Sequence, residues 1–412
     1  MSNLNLDLTK FITAETLSRH KIYGVSFDGI TNKGVRLYDA EGLNWSPSNT
    51  TVLGYDDFKT RKPFKIKRCL MKPGRGGASC TIDSYYDDLN LNLEQYNQKA
   101  KDENLDRFIE YDVYYYTRPN PWTWLISPDY IDGFYPCPAC DRGGKILSKW
   151  YMGEYMPNKY YRILDGYSPI TGISNEEARD ALRAKGYRLS DYANYNSVVM
   201  LALVKYADMD FSDCVGTGGC GDPDYEVVSN GDKILGDDGE YDIYNFMDIE
   251  SIKVMGIVDF YGGVFKKCDA VFEYDGHIYV NDDLDNITEW PIMDTWEAMG
   301  YKKSTFTLPN GDGDYTSTIC KLAYDPQFPW MTYPVGKLGV NRHTETELKL
   351  DVSPITDRCM TNNDSTMRCV LLGGPFWDTV NLGPFTWDST DELFDKDWSS
   401  GCLATAFPVC HS

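Results

Sequence analysis

Ser174-Asn175-Glu176-Glu177-Ala178-Arg179-Asp180-Ala181-Leu182-Arg183-Ala184-Lys185-Gly186, with Ser190-Asp191-Tyr192 opening a second run soon after, is the stretch that sets the fold class. Ser174 at N-cap and Glu177 at N3 form a capping box, in which each side chain satisfies an orphan backbone N–H. The helix so opened spans 175–185 and stops at Gly186, which takes a left-handed cap without a Cβ penalty. The second helix begins near Ser190 or Asp191 and ends about Ala207. Its Val198, Val199, Leu201, Ala202 and Val204 make much of the circumference apolar, so it is expected to be buried. Upstream, the runs are short and β-like. Tyr23-Gly24-Val25-Ser26-Phe27 is closed by Asp28-Gly29, and 64–71 begins by alternating apolar and basic residues. Residues 108–116 read as one strand with 122–126 as its neighbour. Residues 13–20 are weakly helical, and 84–107 form a loop or an exposed helix. After Asp208 regular structure thins into long connections. The expected class is α+β: two packed helices, a short antiparallel sheet and long loops.

Composition removes several functions. The chain has 412 residues, 42% hydrophobic and 25% charged, enough to bury a sizeable core. Its 40 Lys and Arg face 62 Asp and Glu, and the resulting charge of −22 repels phosphate backbones, so no nucleic-acid partner is expected. The basic stretch 59–75 alternates with apolar residues, as in a half-buried strand. The longest apolar run, 198–204, is too short to span a bilayer, so no membrane insertion is expected. Residues 1–7 lack the basic and apolar regions of a secretory signal. Synthesis in a reducing cytoplasm follows, with the 12 Cys as buried thiols. The 31 Tyr, 10 Trp and 17 Phe, against 4 His, lean toward binding rather than acid–base or metal chemistry.

The motifs agree. Cys137-Pro138-Ala139-Cys140 is a lone C-x-x-C, and Cys214 with Cys220 is spaced too loosely to complete a zinc site. Asn310-Gly311-Asp312-Gly313-Asp314 has Tyr315 where an EF-hand needs Gly and Lys321 where it needs Glu. No cofactor is expected, although the long loops leave a structural calcium of another geometry as an alternative. Among the histidines, His277 falls in a hairpin turn, and none has a nucleophile context. Gly216-Thr217-Gly218-Gly219 lacks the strand–helix setting of a phosphate loop. No catalytic residue is expected, and the chain reads as a non-enzyme. The C-terminal part is more informative. Arg368 to Gly374 is a buried strand ending in a double-glycine turn. Beyond it, Trp377, Phe385, Trp387, Phe394 and Trp398 alternate with Asp378, Asn381, Asp388, Ser389, Asp391 and Asp395. Flat indoles beside carboxylates and amides suit a sugar, the ring stacking on a pyranose face while the polar groups take its hydroxyls. The expected ligand-binding set is Trp377, Asp378, Asn381, Trp387, Asp388 and Asp391, with Trp398 as the likeliest core member.

Several segments, taken in order, carry a resemblance. They are Ile22-Tyr23-Gly24-Val25-Ser26-Phe27-Asp28-Gly29 with Arg36-Leu37-Tyr38-Asp39-Ala40, then Pro63-Phe64-Lys65-Ile66-Lys67-Arg68-Cys69-Leu70. Next come Gly133-Phe134-Tyr135-Pro136-Cys137 with Tyr151-Met152-Gly153-Glu154-Tyr155, and Met255-Gly256-Ile257-Val258-Asp259-Phe260-Tyr261-Gly262-Gly263-Val264, and Gly401-Cys402-Leu403. In this order they resemble bacteriophage minor structural and tail-fibre proteins whose distal part has a C-type-lectin-like fold, of the formylglycine-generating-enzyme variety. The resemblance runs from about residue 22 onward. It implies an N-terminal anchor at 1–21, a β-rich attachment region at 22–104 and a C-type-lectin-like domain at 105–412. It implies a virion protein, made in the host bacterial cytoplasm and displayed on the particle exterior, that binds a host-surface glycan or protein. The alternative is a structural adaptor joining other virion proteins of a tail, baseplate or capsid fibre. By analogy it also implies a homo-oligomer, a trimer as is common in phage fibres. Enzymes of this fold carry a closely spaced cysteine pair near the C-terminal end. Neither Cys359 with Cys369 nor Cys402 with Cys410 matches it, so the oxidation is not carried over.

Overall fold

The computed structural model describes residues 12–28, 31–46, 54–167, 169–216, 218, 234–236, 239–241, 252–281, 295–309, 319–337, 340–341, 350–351, 357–374, 382–397 and 399–408. Among these the chain is mostly β, with five α-helices and several small sheets. Both helices expected from the caps are present. Asn175–Ala184 is opened by the Ser174–Glu177 box, and Gly186 follows its C-cap at φ 73°. Tyr192–Tyr206 has Asp191 as N-cap, and every residue in it is buried.

Two antiparallel sheets flank the buried helix. One has five strands, in the order Tyr135–Pro136, Tyr115–Asn120, Thr123–Ser127, Tyr23–Phe27 and Gly34–Tyr38. The other has six, in the order Arg188–Leu189, Ala404–Ala406, Lys149–Gly153, Asp106–Asp112, Lys67–Lys72 and Thr81–Tyr85. Val25, Phe27 and Trp124 of the first sheet, Val199 and Leu203 of the helix, and Ile109 and Met152 of the second sheet share one core. The opposite face of the six-stranded sheet packs Phe108 and Tyr151 against Ala178 and Leu182 of the capped helix.

Three expectations change. Residues 108–116 are not one strand. They end Asp106–Asp112 in one sheet and begin Tyr115–Asn120 in the other, with Val113 donating to Ser148 O and Tyr114 O accepting from Cys137 N between them. Burial on both sides hid the break. The polar stretch 84–107, expected as a loop or an exposed helix, holds the helix Leu93–Asp102, opened by its own capping box of Asn92 and Gln95 and burying only Tyr96 and Ala100. The C-terminal half holds a second five-stranded sheet, and it is not purely antiparallel. Phe265–Lys267 pairs in parallel with Ser400–Cys402, and Cys359–Thr361 with Trp387–Ser389. Strands of two or three residues are too short to print an alternating pattern. Finally, strands from 22–104 pair with strands from 105–412 in both large sheets, so the division at 104/105 separates no two bodies of structure. Residues 1–11 of the expected anchor lie outside the described residues.

At the centre of the six-stranded sheet sits a fully buried carboxylate. Glu154 Oε1 accepts from Arg68 Nε at 2.8 Å, and Oε2 accepts from Arg107 Nε at 3.0 Å and Nη2 at 2.7 Å. Burial alone would raise the Glu154 pKa, but the charges of Arg107, Arg68 and Lys253 outweigh it and hold the carboxyl below its usual range. Removing one partner leaves a buried charge short of compensation, at about 3–5 kcal/mol. Arg107→Met is therefore expected to lower unfolding free energy by about that amount, read by urea titration at neutral pH.

Candidate functional site

Trp377, Asp378 and Asn381 lie outside the described residues, as does Trp398. The other three members of the expected set are placed, and not as a sugar platform. Trp387 and Asp388 belong to a strand, Trp387–Ser389, inserted between Cys359–Thr361 and Leu371–Leu372. A strand with neighbours on both sides, covered on both faces, exposes neither. Trp387 is 1% exposed, its ring edge-on to Tyr192 at 5.7 Å and its Nε1 donating to Ser389 Oγ at 3.3 Å. Beside it a cavity of about 10 Å³, room for about one water, is bounded by Tyr195, Asn196, Thr332 and Phe385. No pyranose fits there. Phe385 is buried as well, its backbone N–H held by Asp357 Oδ2 at 2.6 Å. Trp387 is core, and its assignment as a stacking surface is corrected.

Asp388 is 5% exposed and accepts from Thr390 N at 2.8 Å and Thr390 Oγ1 at 2.7 Å. Burial pushes its pKa up to about 7; the Thr390 bonds oppose that, and Asp391 and Asp397 add to it. It orders the turn that follows the strand and does not reach solvent. Asp391 is half-buried, and burial followed by Asp397 raises its pKa too.

What reaches the surface is the next segment. Glu392, Phe394, Asp395 and Lys396 are exposed, Phe394 to 49%. The loop is fixed rather than free. Asp391 O accepts from Cys369 N at 3.1 Å, Leu393 N donates to Met367 O at 3.1 Å, and Lys267 Nζ donates to Asp395 O at 3.1 Å. Glu392 N donates to Asp395 Oδ2 at 2.9 Å across it. The result is an aromatic ring held among carboxylates on a rigid base. The signal for it was in the sequence: Phe394 alternates with the same acids as the tryptophans. What the sequence lacked was which ring faces out.

The remaining chemistry-bearing residues take structural places. Cys137 and Cys140 are fully buried in a turn, Cys140 N donating to Cys137 O at 2.9 Å. All nine cysteines placed as thiols are buried, and burial raises Cys369 and Cys402 to about 12. His277 begins the return strand of a hairpin whose Asp275-Gly276 turn has φ 49° and 74°, the two left-handed positions of a type I′ turn. His277 Nδ1 lies 3.2 Å from Ser304 O. Among the described residues no three His, Cys, Asp or Glu side chains converge to hold a metal. Residues 310–318 of the acidic loop lie outside them. No described helix is long and apolar enough to cross a membrane.

No family model matches the chain, and no curated protein matches it. Among solved structures it is similar to the Major Tropism Determinant I1 variant, at 9% identity and a TM-score of 0.26, over 62% of this chain and 50% of that one. It is similar to the Major Tropism Determinant U1 variant at 9% identity and a TM-score of 0.27, over 72% and 71%. The chain thus spans about half the length of the first.

Two outcomes follow from the buried strand. Trp387→Ala is expected to cost about 3–5 kcal/mol of stability, as for a large aromatic removed from a core, measured by denaturant unfolding. Asp388 has a raised folded pKa, so its burial costs nothing below the unfolded value. The cost grows as pH rises toward about 7 and is complete above it. Asp388→Asn keeps the acceptor for Thr390, and its melting temperature relative to the parent should therefore be higher at pH 8 than at pH 5.

Proposed function

We propose that the chain is a bacteriophage virion protein, a fibre or appendage component that binds a host-surface receptor, a glycan, through loops of its C-terminal half. It carries out no reaction and needs no cofactor. The observation that carries the reading is the pinned acidic loop with Phe394 presented among Glu392, Asp395 and Lys396. A half-exposed aromatic ring beside carboxylates suits sugar recognition, and a preorganised loop limits the ordering cost of binding. Trp377, Asp378 and Asn381 belong to the same part of the chain and stay in the proposal.

Two further observations support it. The ordered motifs in the sequence resemble phage fibre proteins with a C-type-lectin-like domain. In keeping with such a domain, Ala404–Ala406 near the end of the chain pairs between Lys149–Gly153 and Arg188–Leu189, which draws a long stretch of connections into one closed body. Three buried carboxylates also face fixed cations. Asp191 is held by Arg142 at 3.0 Å, Glu154 by two arginines, and Asp269 by Arg179. Groups so committed are poor candidates for general acid or base.

Purified protein is expected to bind intact host cells saturably, and a free sugar should displace it. Phe394→Ala or Trp377→Ala should weaken that binding at least about tenfold, the scale of one aromatic contact, with the melting temperature unchanged. Folded protein that binds no candidate host would reject the reading in favour of an adaptor between virion proteins.

A further inference from the structure

Around Phe394 the acids outnumber the bases, and the nearby cations are already engaged. Residues 388–397 hold five acids, Asp388, Asp391, Glu392, Asp395 and Asp397, against one base, Lys396. Lys396 Nζ lies 2.7 Å from Glu177 Oε1. Behind the loop, the buried Lys267 spends its Nζ on Asp395 O at 3.1 Å. Arg368 is buried too; its Nη2 lies 2.6 Å from Asp364 Oδ2, and its Nη1 donates to Thr390 O. Glu392 and Asp395 flank the Leu393-Phe394 pair along the chain and are exposed with Phe394. Neither carboxylate forms an ion pair among the described residues. The excess is felt inside the loop as well. Burial first, then the charges of Asp397 and Asp395, raise the Asp391 pKa against the opposing pull of Lys267 and Arg368.

We infer that the glycan taken by this loop is a cationic one, an amino sugar whose protonated amine meets Glu392 and Asp395 beside the Phe394 ring. The inference rests on the receptor reading above and narrows it. The face of an aromatic ring attracts a cation, and carboxylates beside it add a Coulombic attraction. A sugar with hydroxyls alone uses neither. An N-acetylated sugar has lost the charge, and an acidic one is repelled by the loop, as it is by a chain of net charge −22.

The test uses the full chain and isothermal titration calorimetry at mildly acid pH, where the amine is protonated and exposed carboxylates are ionised. The probes are a glucosamine oligomer, its N-acetylated counterpart and a glucose oligomer of the same length. The glucosamine oligomer is expected to bind at least about tenfold more tightly than the other two. Raising salt from about 0.15 to about 1 M shortens the screening length from about 8 to about 3 Å, and it should weaken that binding most. Glu392→Gln with Asp395→Asn keeps an acceptor for Glu392 N and should bring the glucosamine oligomer down to the level of the N-acetylated one. Asp87→Asn with Asp88→Asn removes the same charge from the exposed end of the turn Tyr86–Asp88 and should leave binding unchanged. Equal binding of all three probes would overturn the inference in favour of an uncharged sugar, and equal loss in both variants would overturn it in favour of general attraction to an acidic chain. Protein that binds host cells but not the glucosamine oligomer overturns it and leaves the receptor reading standing. Folded protein that binds neither rejects both.

Discussion

A buried carboxylate that must be neutralised organises this molecule. Glu154, directly after Lys149–Gly153, is fully buried, and its charge is tolerated because two guanidinium groups reach it from two different strands. Arg68 comes from Lys67–Lys72 and Arg107 from Asp106–Asp112, so the charge requirement fixes the register of three segments at once. The Arg107 guanidinium also lies 4.8 Å from the Tyr155 ring and 5.3 Å from the Tyr96 ring. The helix Leu93–Asp102 is thereby tied to the same point. Val258 N donates to Glu154 O at 2.9 Å, which brings the start of the C-terminal half to the sheet as well.

The same solution recurs where the long connections dock. Arg179 grips Asp269 and ties the capped helix to that turn, while Arg142 reaches Asp191 and Asn194 and ties the buried helix to the Asp141–Arg142 ribbon. Arg118 does it without any acid. It is sandwiched between Trp124 at 4.3 Å and Tyr324 at 4.7 Å, and it donates to the carbonyls of Pro329, Met331 and Pro121. Burial lowers its pKa to about 9, which still leaves it charged at neutral pH. A planar cation with a fixed fork of donors suits a place where loop carbonyls need partners and no strand can supply them.

The helices were legible in the sequence because their signals are local: a cap, a periodic face and a stop within one short stretch. The Asp275-Gly276 turn was legible for the same reason. The sheets were not, because pairing partners such as Gly24 and Leu125 or Arg68 and Ile109 are far apart along the chain. Residues buried on both faces also look alike whether the strand continues or breaks, as at Val113 and Tyr114. The candidate site failed on the same point. Trp387 and Phe394 carry equal sequence evidence for display, and only the position of Trp387–Ser389 inside a sheet separates core from surface.

The aromatic excess, read from composition as a binding surface, is used mainly inside. Trp124, Trp150, Trp387, Tyr111, Tyr114 and Tyr261 are among the largest fully buried side chains. A fold of short strands and long connections leaves many backbone carbonyls in its interior without a ladder partner. Tyrosine fills volume like a hydrophobe and carries a donor at its tip. Tyr111 donates to Met255 O at 2.8 Å, Tyr114 to Ser197 O at 2.8 Å, Tyr192 to Thr332 O at 3.1 Å and Tyr261 to Gly216 O at 2.6 Å. Each bond joins a packed element to a distant segment. A high tyrosine count is therefore what irregular architecture demands, and among the described residues only some rings, such as Phe394, are left outside by the scaffold.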